Sequence, residues 1–289
     1  MEKRYVDLHT HSVYSDGSKE PKEVLLEAKK NNVGILALTD HDNIEGSKEI
    51  IKTNNKEIYL YRGVELTANV PKGRMHILGY NIDLENISLN KRLKEMREAS
   101  IYNIMLYIEL LKKDFNIIIP QDKIDWLLNL KGNIGRPQLS LILIEMGYCK
   151  TVQEAFDKYL ISVFEKVRSI KKGLTKEEAV SLIVESDGIA TLAHPGTLLM
   201  DSEELRKELL YLKNLGLKCI EVFHSNTPQE MREYFIKLAE ELNLMISGGT
   251  DYHGHEIKPD IDIGYGRNNN TRIEEQSLSL VKNVKSRYM

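Results

Sequence analysis

Tyr5-Val6-Asp7-Leu8-His9-Thr10-His11-Ser12-Val13-Tyr14-Ser15-Asp16-Gly17 decides the fold. An apolar, β-branched run leads into two histidines spaced i and i+2. In an extended chain this puts both imidazoles on one face, because side chains alternate with period two. Ser15-Asp16-Gly17 then reads as a turn. Two imidazoles followed five residues later by a carboxylate make a metal-binding corner. A polar strand end is the plain alternative, and this stretch alone leaves both open.

The same pattern repeats outward. Residues 21–31 carry Val24, Leu25 and Ala28 among lysines and glutamates, an amphipathic helix with Pro21 at its start. Gly34 to Leu38 is a continuous apolar run ending in Thr39-Asp40-His41, as expected of a parallel strand buried on both faces. A helix is predicted over 43–52, a strand over 58–65 ending in Gly63-Val64-Glu65, and a short strand over 75–80 containing His76. From residue 89 to 172 the character changes to helical patterns over 91–113, 121–130, 137–146 and 152–160, with no histidine. This block reads as a helical subdomain inserted into a βα scaffold formed by residues 1–88 and 173–289.

The scaffold resumes with a helix over 175–186, where Thr175 and Glu178 form a capping box. Strands over 188–194, 217–224 and 244–248 alternate with helices over 203–215 and 229–243, and a short helix is expected from Thr271. Of the seven apolar runs, six carry a histidine at or just past the strand and the seventh ends in Glu65. Functional groups of βα barrels gather on the loops after the strands. His76 breaks the rule by preceding its run, which predicts a reversed or distorted strand. Convergence of these imidazoles with Asp16, Glu65 and Asp251 gives more donors than one ion uses. Two or three ions sharing a carboxylate is the economical reading, and imidazole plus carboxylate without thiolate suits Zn²⁺, Mn²⁺ or Fe²⁺.

Composition narrows the classes further. With 289 residues the chain is long enough for a large α/β domain carrying an insert. A net charge of −3 and the lack of a basic stripe exclude a dedicated duplex binder. Cys149 and Cys219 lie outside any CxxC spacing and read as ordinary thiols. Neither an apolar leader nor a run long enough to cross a bilayer is seen, so a cytoplasmic location without membrane contact is expected.

His9-x-His11-x4-Asp16-Gly17, Thr39-Asp40-His41-Asp42, Gly63-Val64-Glu65, His76, Ala193-His194-Pro195 and Gly249-Thr250-Asp251-x-His253 together resemble the PHP (polymerase and histidinol phosphatase) superfamily of metal-dependent phosphoesterases. The resemblance implies a distorted (β/α)7 TIM-like barrel with two or three divalent ions. The helical insert and Gly135-Arg136-Pro137 look closest to the nucleoside 3′,5′-bisphosphate phosphatases and the related 5′-3′ exoribonuclease. Carried over, the resemblance implies one ion held by His9, His11, Glu65 and Asp251. A second would be bridged by Glu65 and completed by His76 and His194, and a third held by Asp16, His41 and His253. Asp7 and Asp40, beside ligands, are expected either to orient imidazoles or to be solvated strand ends. Arg136 is expected to clamp a phosphate bidentately, and His224 to face substrate. Where the subgroup usually has a histidine after Arg-Pro, this chain has Gln138, an amide that still hydrogen-bonds a phosphate but brings no charge. His255 reads as loop polarity.

The expected substrates are 3′,5′-bisphosphonucleotides or short single-stranded 5′-phosphorylated RNA, and no obligate protein partner is evident. Ser12, Ser15 and Thr250 lack a base-and-orienter arrangement, so the expected nucleophile is a metal-bridging hydroxide. Metal coordination can lower the pKa of water from about 16 to about 7. Arg136 and His224 would steady the phosphoryl oxygens, and His224 would protonate the leaving oxygen. The alternatives are a histidinol-phosphate or sugar phosphatase and a non-catalytic metal-binding module. An amidohydrolase also begins with His-x-His, but the Asp-Gly and Thr-Asp-His-Asp context points away from it.

Overall fold

A computed structural model describes residues 4–53, 57–167 and 173–282. These divide into two compact units, Met1–Asn90 with Leu174–Met289, and Lys91–Gly173.

In the first unit, β1 (Tyr5–Thr10), β2 (Val33–Leu38) and β3 (Tyr59–Ala68) are parallel neighbours linked by α1 (Pro21–Lys30) and α2 (Glu45–Thr53). β4 (Met75–Tyr80) is antiparallel to β3 and to β5 (Ile189–Leu192); β6 (Cys219–Phe223) and β7 (Met245–Gly248) then continue parallel to β5. Each residue of β2 is buried, on alternating sides: Ile35 and Ala37 join the cluster around Val6, Leu8 and Tyr80, while Leu36 and Leu38 pack with Val24, Ala28 and Ile50. That is why its sequence is apolar without alternation. The sheet nearly closes where the segment after β7 runs beside β1. There the Asp251 N–H donates to His9 O at 2.8 Å and the His11 N–H to Tyr252 O at 2.8 Å. Gly249 makes the approach possible, because a Cβ there would overlap the His9 backbone. The architecture is the expected distorted TIM-like barrel.

The reversal of β4 resolves the anomaly of His76. Because the strand runs backwards, its beginning lies at the barrel end where the other strands finish, with His76 opposite Thr67 on β3. Two expectations need correction. β3 continues past Glu65 to Ala68, its last residues paired with β4. The segment from Thr271 first forms a strand, β8 (Ile273–Glu274), antiparallel to β1, then a 3₁₀ turn at Glu275–Ser277, and α-helical residues follow only at 279–282. Two residues of extended chain are too few to show a period. α8 (Lys176–Glu185) has the predicted Thr175–Glu178 capping box, while α9 (Ser202–Leu215) is capped by Asp201; α10 (Gln229–Glu241) precedes β7.

The second unit is helical: α3 (Ile87–Phe115, which begins in the first unit), α4 (Gln121–Leu128), α5 (Arg136–Glu145), α6 (Val152–Ala155) and α7 (Ile161–Val167). It has its own core of Ile104, Leu111, Leu127, Leu139, Leu143, Leu160 and Val163. The helix expected to stop at residue 160 instead continues through a π-helical turn, Phe156–Leu160, into α7. The turn keeps Ala155 and Leu160, five residues apart, on the buried face together with Val163 and Val167.

Candidate active site

The end of the barrel at which the parallel strands finish gathers seven of the eight histidines around three carboxylates. Glu65, fully buried, stands at the centre. Its Oε1 lies 2.8 Å from His76 Nδ1 and 3.0 Å from His194 Nε2; its Oε2 lies 3.0 Å from His9 Nε2 and 3.2 Å from both His11 Nε2 and His41 Nδ1. Asp251 Oδ1 lies 3.3 Å from His11 Nε2, 3.6 Å from His9 Nε2 and 3.5 Å from His253 Nδ1. Asp16 Oδ1 lies 3.2 Å from His253 Nε2, and its Oδ2 lies 3.9 Å from His41 Nε2. Donor atoms close enough to share an ion fall into four overlapping sets: His11, Asp16, His41 and His253; His9, His11 and Asp251; His9, Glu65 and His194; His41, Glu65 and His76. The sets include all nine expected ligands. They pair His76 with His41 and His194 with His9, where the resemblance had joined His76 to His194.

The donors' chemistry fits divalent cations. Burial raises the Glu65 carboxyl, but the imidazoles of His41, His9 and His76 outweigh it and hold the group well below the ordinary carboxylate range. Burial is likewise overcome at Asp251, chiefly by hydrogen bonds from His11 and His224. Burial lowers His41 to about 3; burial would also lower His11, but hydrogen bonds to Asp251 and Glu65 raise it to about 9. Ionised carboxylates collected in a buried place require positive charge. His41 Nδ1, buried and aimed into the group, has no hydrogen-bond partner. Its lone pair is where a cation would be received. Asp42, His194 and Asp251 have left-handed φ of 50°, 26° and 58°.

The surrounding bonds fix which ring nitrogen faces the cluster. His253 Nδ1 donates to Asp251 O at 2.8 Å, leaving Nε2 toward Asp16. His194 Nδ1 lies 3.0 Å from Thr197 Oγ1, whose hydrogen goes to a backbone carbonyl, leaving Nε2 toward Glu65. His224, almost fully buried, is different. Its Nδ1 accepts the Asn226 N–H at 3.1 Å, so the neutral ring carries its proton on Nε2, 3.3 Å from Asp251 Oδ2. This makes it a donor at the edge of the cluster. Arg232, buried on α10, holds the loop by donating to His224 O and Thr227 O.

Asp7 and Asp40 match neither sequence expectation. Both are buried, so they are not solvated strand ends, and their hydrogen bonds go to backbone and hydroxyls instead of imidazoles. Asp7 accepts from the Thr250 N–H at 2.9 Å, Thr250 Oγ1 at 2.7 Å and the Gly264 N–H at 2.8 Å. Asp40 accepts from the Ser12 N–H, Ser12 Oγ and Ser15 Oγ, each at 2.7 Å. They tie down the loops that carry Asp251, His11 and Asp16. His255 is exposed and bonds Asp262 at 2.7 Å, in line with loop polarity. In the helical unit, the Arg136 guanidinium lies 4.1 Å above the Phe164 ring and 5.3 Å from the Phe156 ring, and Gln138 Oε1 accepts the Gly135 N–H at 3.0 Å.

Sequence reading missed two groups. Glu221 is buried in β6, its Oε1 2.8 Å from His9 Nδ1 and its Oε2 accepting the His194 N–H at 2.7 Å. A glutamate inside the apolar run Cys-Ile-Glu-Val-Phe was the available signal. Lys258 donates to Asp251 Oδ2 at 2.6 Å; as one lysine in a polar loop it gave none.

A model of the PHP domain matches residues 7–222. The chain belongs to the PHP family. It is 29% identical to the 5′-3′ exoribonuclease Rnm of Salmonella typhimurium, over 89% of this chain and 87% of that protein. It is also 29% identical to a 3′,5′-nucleoside bisphosphate phosphatase of Chromobacterium violaceum, over 86% and 87%. Among solved structures, an amidohydrolase from Chromobacterium violaceum with bound sulfate superposes with a TM-score of 0.75 at 28% identity, over 90% of each chain. A proposed metal-dependent phosphoesterase from Bifidobacterium adolescentis gives 0.73 at 26% identity, over 88% of this chain and 90% of that one. This PHP protein is a hydrolytic phosphoesterase. No helix among its described residues is long and apolar enough to cross a membrane.

Proposed function

We propose that this PHP protein hydrolyses phosphate esters of nucleoside 3′,5′-bisphosphates, of short 5′-phosphorylated RNA, or of both, using two or three divalent ions drawn from Zn²⁺, Mn²⁺ and Fe²⁺. The observation that carries the reading is the convergence of His9, His11, Asp16, His41, Glu65, His76, His194, Asp251 and His253 at one barrel end. The two named relatives supply the substrate class. Bound there, the ions supply Lewis acidity and an activated water. Glu65 presents its two oxygens to different imidazoles, which suits it to bridge. His224, its Nδ1 occupied by the Asn226 N–H, hydrogen-bonds the leaving oxygen through its Nε2–H. Lys258 offsets the charge of Asp251 on the oxygen that turns away from His11. Arg136, its guanidinium steadied by Phe164, binds a substrate phosphate, with the amide of Gln138 contributing to the same anion.

The test is hydrolysis of a panel, read as released phosphate and as released mononucleotide: adenosine 3′,5′-bisphosphate, a 5′-phosphorylated RNA pentamer, histidinol phosphate and a sugar phosphate, each with Mn²⁺ or Zn²⁺. Preference for either of the first two is expected. Turnover confined to histidinol phosphate or the sugar phosphate contradicts the assignment.

A further inference from the structure

Glu221 makes contacts that a structural glutamate does not need. It is fully buried in the barrel interior, where glutamate is rare unless paired. One oxygen faces His9 Nδ1 at 2.8 Å and the other takes the backbone N–H of His194 at 2.7 Å. His9 comes from β1 and His194 follows β5, so one side chain reaches two sequence-distant segments. The imidazole of His9 and the carboxylate hold each other through this 2.8 Å contact.

The consequence is geometric. A carboxylate can only accept, so Glu221 keeps a hydrogen on His9 Nδ1 and leaves Nε2, 3.0 Å from Glu65 Oε2, as the nitrogen a cation would take. The His194 N–H bond holds a backbone with φ 26° and ψ 65°, which an L-residue rarely adopts. That conformation sends His194 Nε2 to within 3.0 Å of Glu65 Oε1. The two rings stand 5.7 Å apart, tilted by 25°. We propose that Glu221 is the positioning residue of the metal centre, setting the tautomer of His9 and the backbone of His194 so that both offer Nε2 on either side of Glu65. The proposal rests on the metal-centre reading above. Its test uses no substrate, so failure of the nucleotide assignment leaves it standing.

Glu221→Gln is nearly isosteric, but its amide accepts on one side only and so cannot serve both donors. Chelator-treated full-length protein is titrated with Mn²⁺ and with Zn²⁺ by calorimetry, alongside Ser247→Ala. Ser247 is the cross-strand neighbour of Glu221 in β7 and is equally buried. The expected result is a loss of about ten- to hundredfold in affinity for E221Q with unchanged melting of the metal-free protein, and wild-type affinity for S247A. Wild-type affinity in E221Q, or equal losses in both variants, overturns the proposal. A second measurement needs no variant. In the metal-loaded wild type, imidazole ¹⁵N shifts should show His9 protonated at Nδ1; metal on Nδ1 would contradict the role.

Discussion

The two units bury opposite kinds of residue. The helical unit encloses apolar side chains, from Ile104 to Val167, and carries no histidine. The barrel encloses a cluster of imidazoles and carboxylates at one end, above an apolar interior of Val6, Leu8, Tyr61, Leu78 and Tyr80. One core is maintained by packing alone. The other keeps buried charge that is stabilised only if something positive meets it, which is a cost accepted for chemistry.

Substitutions separate the two. Glu65→Ala should cost the most, lowering phosphoester hydrolysis by about a thousandfold, because ions supply several kcal/mol and each ~1.4 kcal/mol is tenfold. The same loss should follow chelation and be restored by Mn²⁺. Initial rates check it, and near-normal turnover in the variant would erase the contrast. Leu143→Ala, in the helical core, should lower unfolding free energy by about 3 kcal/mol while metal content stays at the wild-type level. Denaturant titration paired with elemental analysis reads both. Asp40→Asn should cost about 1–2 kcal/mol in stability and also loosen the Ser12–Ser15 loop, so that metal affinity falls with it. Arg136→Lys should show the smallest effect, a rise in KM of about tenfold for a phosphorylated substrate with unchanged melting, since an ammonium cannot replace the fork or the ring stacking. An unchanged KM would remove Arg136 from the site.

The barrel was legible because its strands are short apolar runs ending in residues that physics would not leave there. Histidines at the ends of Gly34–Leu38 and Leu217–Phe223 have no packing reason to recur. Even the misfit of His76 was informative, since a reversed strand is what carries its first residue to the shared end. What stayed hidden depended on contacts distant in sequence. Asp7 and Asp40 look like ligand orienters from position alone, yet they secure loops through Thr250, Gly264 and Ser12. Glu221 meets His9 across 212 residues, a separation that no spacing rule reaches. β8 is two residues long, below the length at which alternation can be read. The π-helical turn at Phe156–Leu160 was invisible because helical periodicity assumes 3.6 residues per turn.

The central claim is that imidazoles and carboxylates from separate strands meet in order to hold cations. Anomalous diffraction from crystals soaked in Mn²⁺ tests it most directly. Two or three peaks among His9, His11, Asp16, His41, Glu65, His76, His194, Asp251 and His253 are predicted; no peak there, or peaks only elsewhere on the surface, would contradict the account.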